Sequence, residues 1–126
     1  PETCKTQLHL SLPFATDSRL ENVLAYLDDN LGETILFSDL ANRFGFSERS
    51  LYRLFEKDIN MSFIQYFTIR RILKAMELLI DKKLSVNEIA QAVGYNSTPT
   101  FSNTFYKILG QRPTEYTNGI QILKNV

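Results

Sequence analysis

The stretch Gly45–Phe55, GFSERSLYRLF, returns as Gly94–Phe105, GYNSTPTFSNTF. The apolar beats agree, and the polar residues between them differ. Shifted by 49 residues, Leu40, Ala41, Phe44, Gly45 and Phe46 fall on Ile89, Ala90, Val93, Gly94 and Tyr95. Shifted by 50, Leu51, Phe55, Lys57, Ile59, Asn60 and Tyr66 fall on Phe101, Phe105, Lys107, Leu109, Gly110 and Tyr116. One residue has entered the second turn. Arg49, Tyr52 and Arg53 stand opposite Pro99, Ser102 and Asn103, so one scaffold is kept while its outward face varies.

Each copy carries the physical marks of a helix-turn-helix. Ala41 and Ala90 supply the small side chain needed where two helices cross closely, and Gly45 and Gly94 suit the positive φ of the turn. Leu51 with Phe55, and Phe101 with Phe105, point back into a core. A step of about 100° per residue then puts Arg49, Arg53 and Glu56 on the far side of the first copy's second helix, flanked by Tyr52. Two arginines and a tyrosine in the N-terminal half of such a helix suit base edges in a DNA groove.

The flanking sequence reads as further helices. Asp17 or Thr16 can cap a helix carrying Leu20, Val23, Leu24 and Leu27, with Asn30 and Gly32 as stop signals. Ser62 and Gln65 form a capping box for a long helix, SFIQYFTIRRILKAMELLID, of about 30 Å. Its apolar stripe is Ile69, Ile72, Leu73, Met76, Leu79 and Ile80. Ser85 and Glu88 cap a short helix. Thr98 is expected as the next cap, with Pro99 as the first helical residue, and Pro113 opens the last helix. The expected fold is all-α, with about seven helices and two helix-turn-helix subdomains joined by a long linker helix. The expected divisions are a leader at 1–16, subdomains at 17–61 and 83–118, the linker helix at 62–82, and a tail at 119–126 whose course the sequence leaves open.

Composition narrows the function. The chain has 126 residues, 44% apolar and 22% charged, ordinary for a globular domain. No apolar run approaches the length of about 18 needed to span a membrane, and no signal peptide is evident. Cys4 stands alone, so the expected setting is reducing and cytoplasmic. Cys4 and His9 lack neighbours of ligand type, and there is no Gly-rich phosphate loop and no nucleophile with a base. No catalytic residue, metal or cofactor is expected. The formal charge is zero, yet residues 1–46 hold three basic and seven acidic side chains, whereas 47–83 hold eight and five. Positive charge is gathered in the middle. The chain begins at Pro1, and a preceding N-terminal part is expected.

The run RRILKAMELLIDKKLSVNEIAQAVGYNSTPTFSNTFYKILGQRPTEY, together with the first copy, resembles the AraC/XylS family of bacterial transcription regulators. The resemblance covers about Asp17 to Tyr116. It implies promoter DNA as partner, RNA polymerase as a further one, and any small-molecule effector acting through a cupin-type N-terminal sensor domain. SLPFATDSRL looks like the leader that follows such a sensor. Carried onto this sequence, the family's base contacts fall on Arg49, Tyr52 and Arg53, and on Thr98, Pro99, Ser102 and Asn103. Phosphate contacts are expected from Ser47, Ser50, Lys57, Ser97, Lys107 and Arg112. Many relatives hold a basic residue where Asn103 stands, and Pro99 has no N–H to donate. The expected geometry is two helices entering successive major-groove segments about 34 Å apart. The rival reading is a protein-interaction module in which Phe37, Phe46 and the Ile-rich tail cover a partner.

Overall fold

Side-chain caps set where most of the described helices begin, the one that follows Leu36 being the exception. The computed structural model describes residues 12–116. Within them run α1 (Ser18–Asp29), α2 (Phe37–Arg43), α3 (Glu48–Ile59), α4 (Phe63–Asp81), α5 (Val86–Ala92) and α6 (Thr98–Leu109). Residues 113–116 open a seventh helical turn, and the described residues contain no strand. This is the all-α arrangement expected, with two helix-turn-helix motifs joined by a long helix. Cys4, His9 and the 119–126 tail lie outside the described residues.

Asp17 caps α1 by accepting from the Arg19 backbone N–H at 2.8 Å, and its carboxylate also takes the Arg19 guanidinium at 2.8 Å. These bonds hold the Asp17 carboxyl at about 2, below its usual 3.8. Asp58, near the end of α3, accepts from the Thr16 hydroxyl and from the backbone N–H groups of Thr16 and Asp17 at 2.9 and 3.0 Å. The start of α1 is thereby tied to α3, and the Thr16 hydroxyl chiefly holds the Asp58 carboxyl below its usual range. Ser62 and Gln65 form the expected capping box of α4, at 2.9 and 3.1 Å. Ser85 and Glu88 do the same for α5.

Two compact units result, one ending at Arg70 and the other starting at Arg71, within α4. The first core gathers Leu20, Val23, Leu27, Leu40, Ala41, Leu51 and Phe55 with Phe63, Tyr66 and Phe67 of α4. The second gathers Ile89, Ala90, Val93, Phe101 and Phe105 with Ile72, Ala75 and Leu79 of α4. One helix therefore closes both cores. Of the expected stripe, Ile72 and Leu79 are buried, but Ile80 is exposed. Core positions on α4 begin at Phe63, because the first unit demands a face that the later Ile–Leu spacing does not show. Phe37 and Phe46, which the rival reading would have turned to a partner, pack against the first core. The Phe37 ring meets Phe55 at 6.4 Å and Phe63 at 5.5 Å between centroids.

Acid should loosen this capping. Asp17, Asp58 and Glu88 all have folded carboxyls held below their ordinary values. Their contribution is present above the unfolded pKa near 4 and is lost as pH falls through their lowered folded values, about 2 for Asp17. Melting followed by circular dichroism should show a midpoint that is flat above about pH 5 and falls between about pH 4 and 2, with a shallower fall in Asp58→Asn. Equal midpoints at pH 7 and pH 3 would contradict this assignment.

Candidate nucleic-acid interface

The two motifs are closed by the same hydrogen bonds. In the first, the Phe46 N–H reaches back to the Ala41 carbonyl at 2.8 Å and the Gly45 N–H to Asn42 at 3.2 Å. In the second, Tyr95 reaches Ala90 at 2.9 Å and Gly94 reaches Gln91 at 3.0 Å. This paired closure is the Schellman motif, which requires a left-handed residue at its corner. Gly45 and Gly94 supply it, at φ +76° and +94°. Both alanines are wholly buried beneath the turn.

The helix after each turn is capped alike. Ser47 accepts from the Ser50 N–H at 3.1 Å and Ser97 from the Thr100 N–H at 3.2 Å. The Ser47 hydroxyl also bonds that of Ser50, and the Ser97 hydroxyl that of Thr100. Both helices end in a left-handed residue, Asn60 at φ 54° and Gly110 at φ 77°. The extra residue is Asn96, between the turn and the cap. It corrects the expected start of α6: Ser97 rather than Thr98 is the cap, and Pro99 occupies the second helical position. The cap follows the hydroxyl that can reach the N–H three residues on, and Ser97 does so.

With Leu51, Phe55 and Ile59 buried, α3 presents Arg49, Tyr52, Arg53 and Lys57 to solvent. Tyr52 is 55% exposed. Among the described residues, neither Arg49 nor Arg53 makes an ion pair or a side-chain hydrogen bond. Two unneutralised guanidinium groups on one helix face suit acceptors on base edges or phosphates. Ser47 and Ser50 are exposed at the start of this face.

The α6 face differs. Phe101 and Phe105 are buried, Pro99 and Asn103 are exposed, and Ser102 is half-buried. The Thr98 hydroxyl is engaged, donating to the Asn87 side-chain oxygen of α5. Ser97 is exposed at the cap and Lys107 lies exposed in the last turn. Arg112, beyond the end of the helix, turns back across it. Its Nη1 donates to Asn103 Oδ1 at 2.7 Å and to Ser102 Oγ at 3.4 Å, and its Cζ lies 4.7 Å from the Tyr106 ring centroid. Sequence reasoning assigned no role to Asn87 or Tyr106. Tyr106 carries a signal, being an aromatic one turn after Asn103; Asn87 carries none.

No metal-ligand cluster occurs among the described residues, and none of their helices is long and apolar enough to cross a membrane. Fold and turn geometry define a tandem helix-turn-helix domain. Residues 40–119 match the model of a family described as a helix-turn-helix domain, well over half the chain. The transcriptional regulator GbdR of Pseudomonas aeruginosa is 33% identical over 101 residues, covering 80% of this chain and 28% of that protein. An AraC-type transcriptional regulator structure from Chromobacterium violaceum aligns with TM-score 0.77 at 27% identity, over 82% of this chain and 92% of that one. The DNA-binding domain of AdpA, solved in complex with a target DNA, aligns with TM-score 0.80 at 27% identity, over 85% and 96%. The chain belongs to the AraC-type helix-turn-helix family of transcriptional regulators. It spans about a third of the length of the curated relatives it matches, 38% of one and 28% of another.

The turn geometry carries a direct test. Nothing lies within 4 Å of a Cβ built on Gly45, so a side chain there costs backbone strain and no clash. Gly45→Ala should lower stability by about 1–2 kcal/mol in urea unfolding, and Gly45→Asn by less, because Asn tolerates the left-handed region. Equal losses for the two variants would show that strain at this φ is not the cause.

Proposed function

We propose that this chain binds duplex DNA in a sequence-specific manner and regulates transcription at bacterial promoters, each motif setting one helix into a major-groove segment. The observation that carries this is the exposed face of α3, where Arg49 and Arg53 stand without an ion-pair partner among the described residues. A guanidinium in that state meets the O6 and N7 acceptors of guanine in bidentate fashion, a contact worth about 1–3 kcal/mol of discrimination. Arg49, Tyr52 and Arg53 read base edges in the first segment, and Pro99, Ser102 and Asn103 face those of the second. Thr98 contributes through its methyl, since its hydroxyl proton is given to Asn87. Ser47, Ser50, Lys57, Ser97 and Lys107 hold phosphates, aided by the helix N-termini. The protein acts in the cytoplasm. Contact with RNA polymerase and control by a small effector are functions of the whole regulator.

Two measurements test this. Arg53→Ala should relax preference at one or two base pairs of a selected duplex, whereas Lys107→Ala should weaken all duplexes about equally. Sequence-blind losses from both would remove Arg53 from the base readers. A chain without net charge should also release few ions, giving a slope of log K against log[salt] of magnitude about 3–5; a slope of about 10 would demand a far larger cationic footprint.

A further inference from the structure

The second reading helix has no basic residue of its own at Asn103, yet a cation lies on that spot. It comes from Arg112, nine residues further on, across the end of α6. Three features hold it there. The Arg112 backbone N–H donates to Glu115 Oε1 at 2.6 Å, at the start of the next helical turn. The guanidinium rests on the Tyr106 ring, itself half exposed. Its Nη1 donates to Asn103 Oδ1 at 2.7 Å and toward Ser102 Oγ at 3.4 Å.

This contact changes what Asn103 can read. A free asparagine amide pairs with adenine, accepting from the N6 amino group while donating to N7. Here Oδ1 already accepts one bond, and any further donor approaching it meets a guanidinium. The Asn103 Nδ2–H groups and the remaining guanidinium N–H groups are left as donors. A donor-only face suits guanine, whose major-groove edge offers two acceptors. It disfavours adenine, whose N6 amino group would lie against a positive charge.

We propose that Arg112 and Asn103 act as one composite base reader that selects guanine in the second DNA segment, in place of the phosphate role expected of Arg112. The proposal rests on the DNA-binding reading above and names the specificity of its second motif. The test is selection of duplexes from a random pool by the 126-residue chain and by Arg112→Gln and Arg112→Lys, after melting curves for all three. The wild type should enrich guanine at a position of the second segment. Arg112→Gln should shift that position toward adenine by about 10-fold and leave the first segment's preferences unchanged. Arg112→Lys keeps a cation at the turn and should retain guanine.

Unchanged guanine preference in Arg112→Gln would overturn the composite reader. So would adenine in the Arg112→Lys pool, or an Arg112→Gln loss spread evenly over all duplexes, which marks a phosphate contact. A wild-type chain that enriches no sequence would instead overturn the DNA-binding reading itself, and the composite reader with it.

Discussion

Each half of this protein depends on one hydrogen-bonded corner: an alanine carbonyl accepts the N–H five residues on, across a left-handed glycine. That closure ends one helix and fixes the direction in which the chain departs. A serine cap two or three residues further on then starts the next helix. With Leu51 and Phe55, or Phe101 and Phe105, driven inward by burial, the rotation of the second helix is settled as well. The outward face is what remains. Its chemistry is free to change because none of its side chains takes part in the corner.

The two faces have used that freedom differently. On α3 the cations are the helix's own, Arg49 and Arg53, and nothing among the described residues neutralises them. On α6 the positions opposite them hold Pro99 and Asn103, and the cation arrives from Arg112 beyond the helix end. A guanidinium delivered this way is shared between a ring, a hydroxyl and an amide. It is therefore more restrained than one on a free stem, and less side-chain entropy remains to be lost on binding.

α4 contributes to both cores from one continuous helix. Phe63, Tyr66 and Phe67 pack in the first unit, and Ile72, Ala75 and Leu79 in the second. In the first unit the buried Tyr66 hydroxyl donates to Asp28 Oδ1 at 3.1 Å, and Arg70 Nε donates to the same oxygen at 2.8 Å. Burial chiefly pushes the Tyr66 phenol above its usual range, with the Asp28 charge adding to it. Arg71, the next residue, lies against Tyr95 of the second unit, 5.7 Å from the ring centroid. Adjacent arginines thus serve different cores, which accounts for a basic pair in the middle of a helix.

The duplication, the helical class, the glycine corners, the buried Leu and Phe positions and the Ser62–Gln65 and Ser85–Glu88 capping boxes were legible in the order of residues. Each follows from local rules: a period of 3.6, a φ that glycine adopts freely, a hydroxyl three residues from an N–H. The start of α6 was missed by one residue, because Ser97 and Thr98 are equally good caps until the length of the preceding turn is known. The long helix's first core residues were missed because a second unit demands a second face of it. The pairing of Arg112 with Asn103 was out of reach altogether. It depends on the angle at which the chain leaves Gly110, and a contact between side chains nine residues apart has no periodicity to betray it.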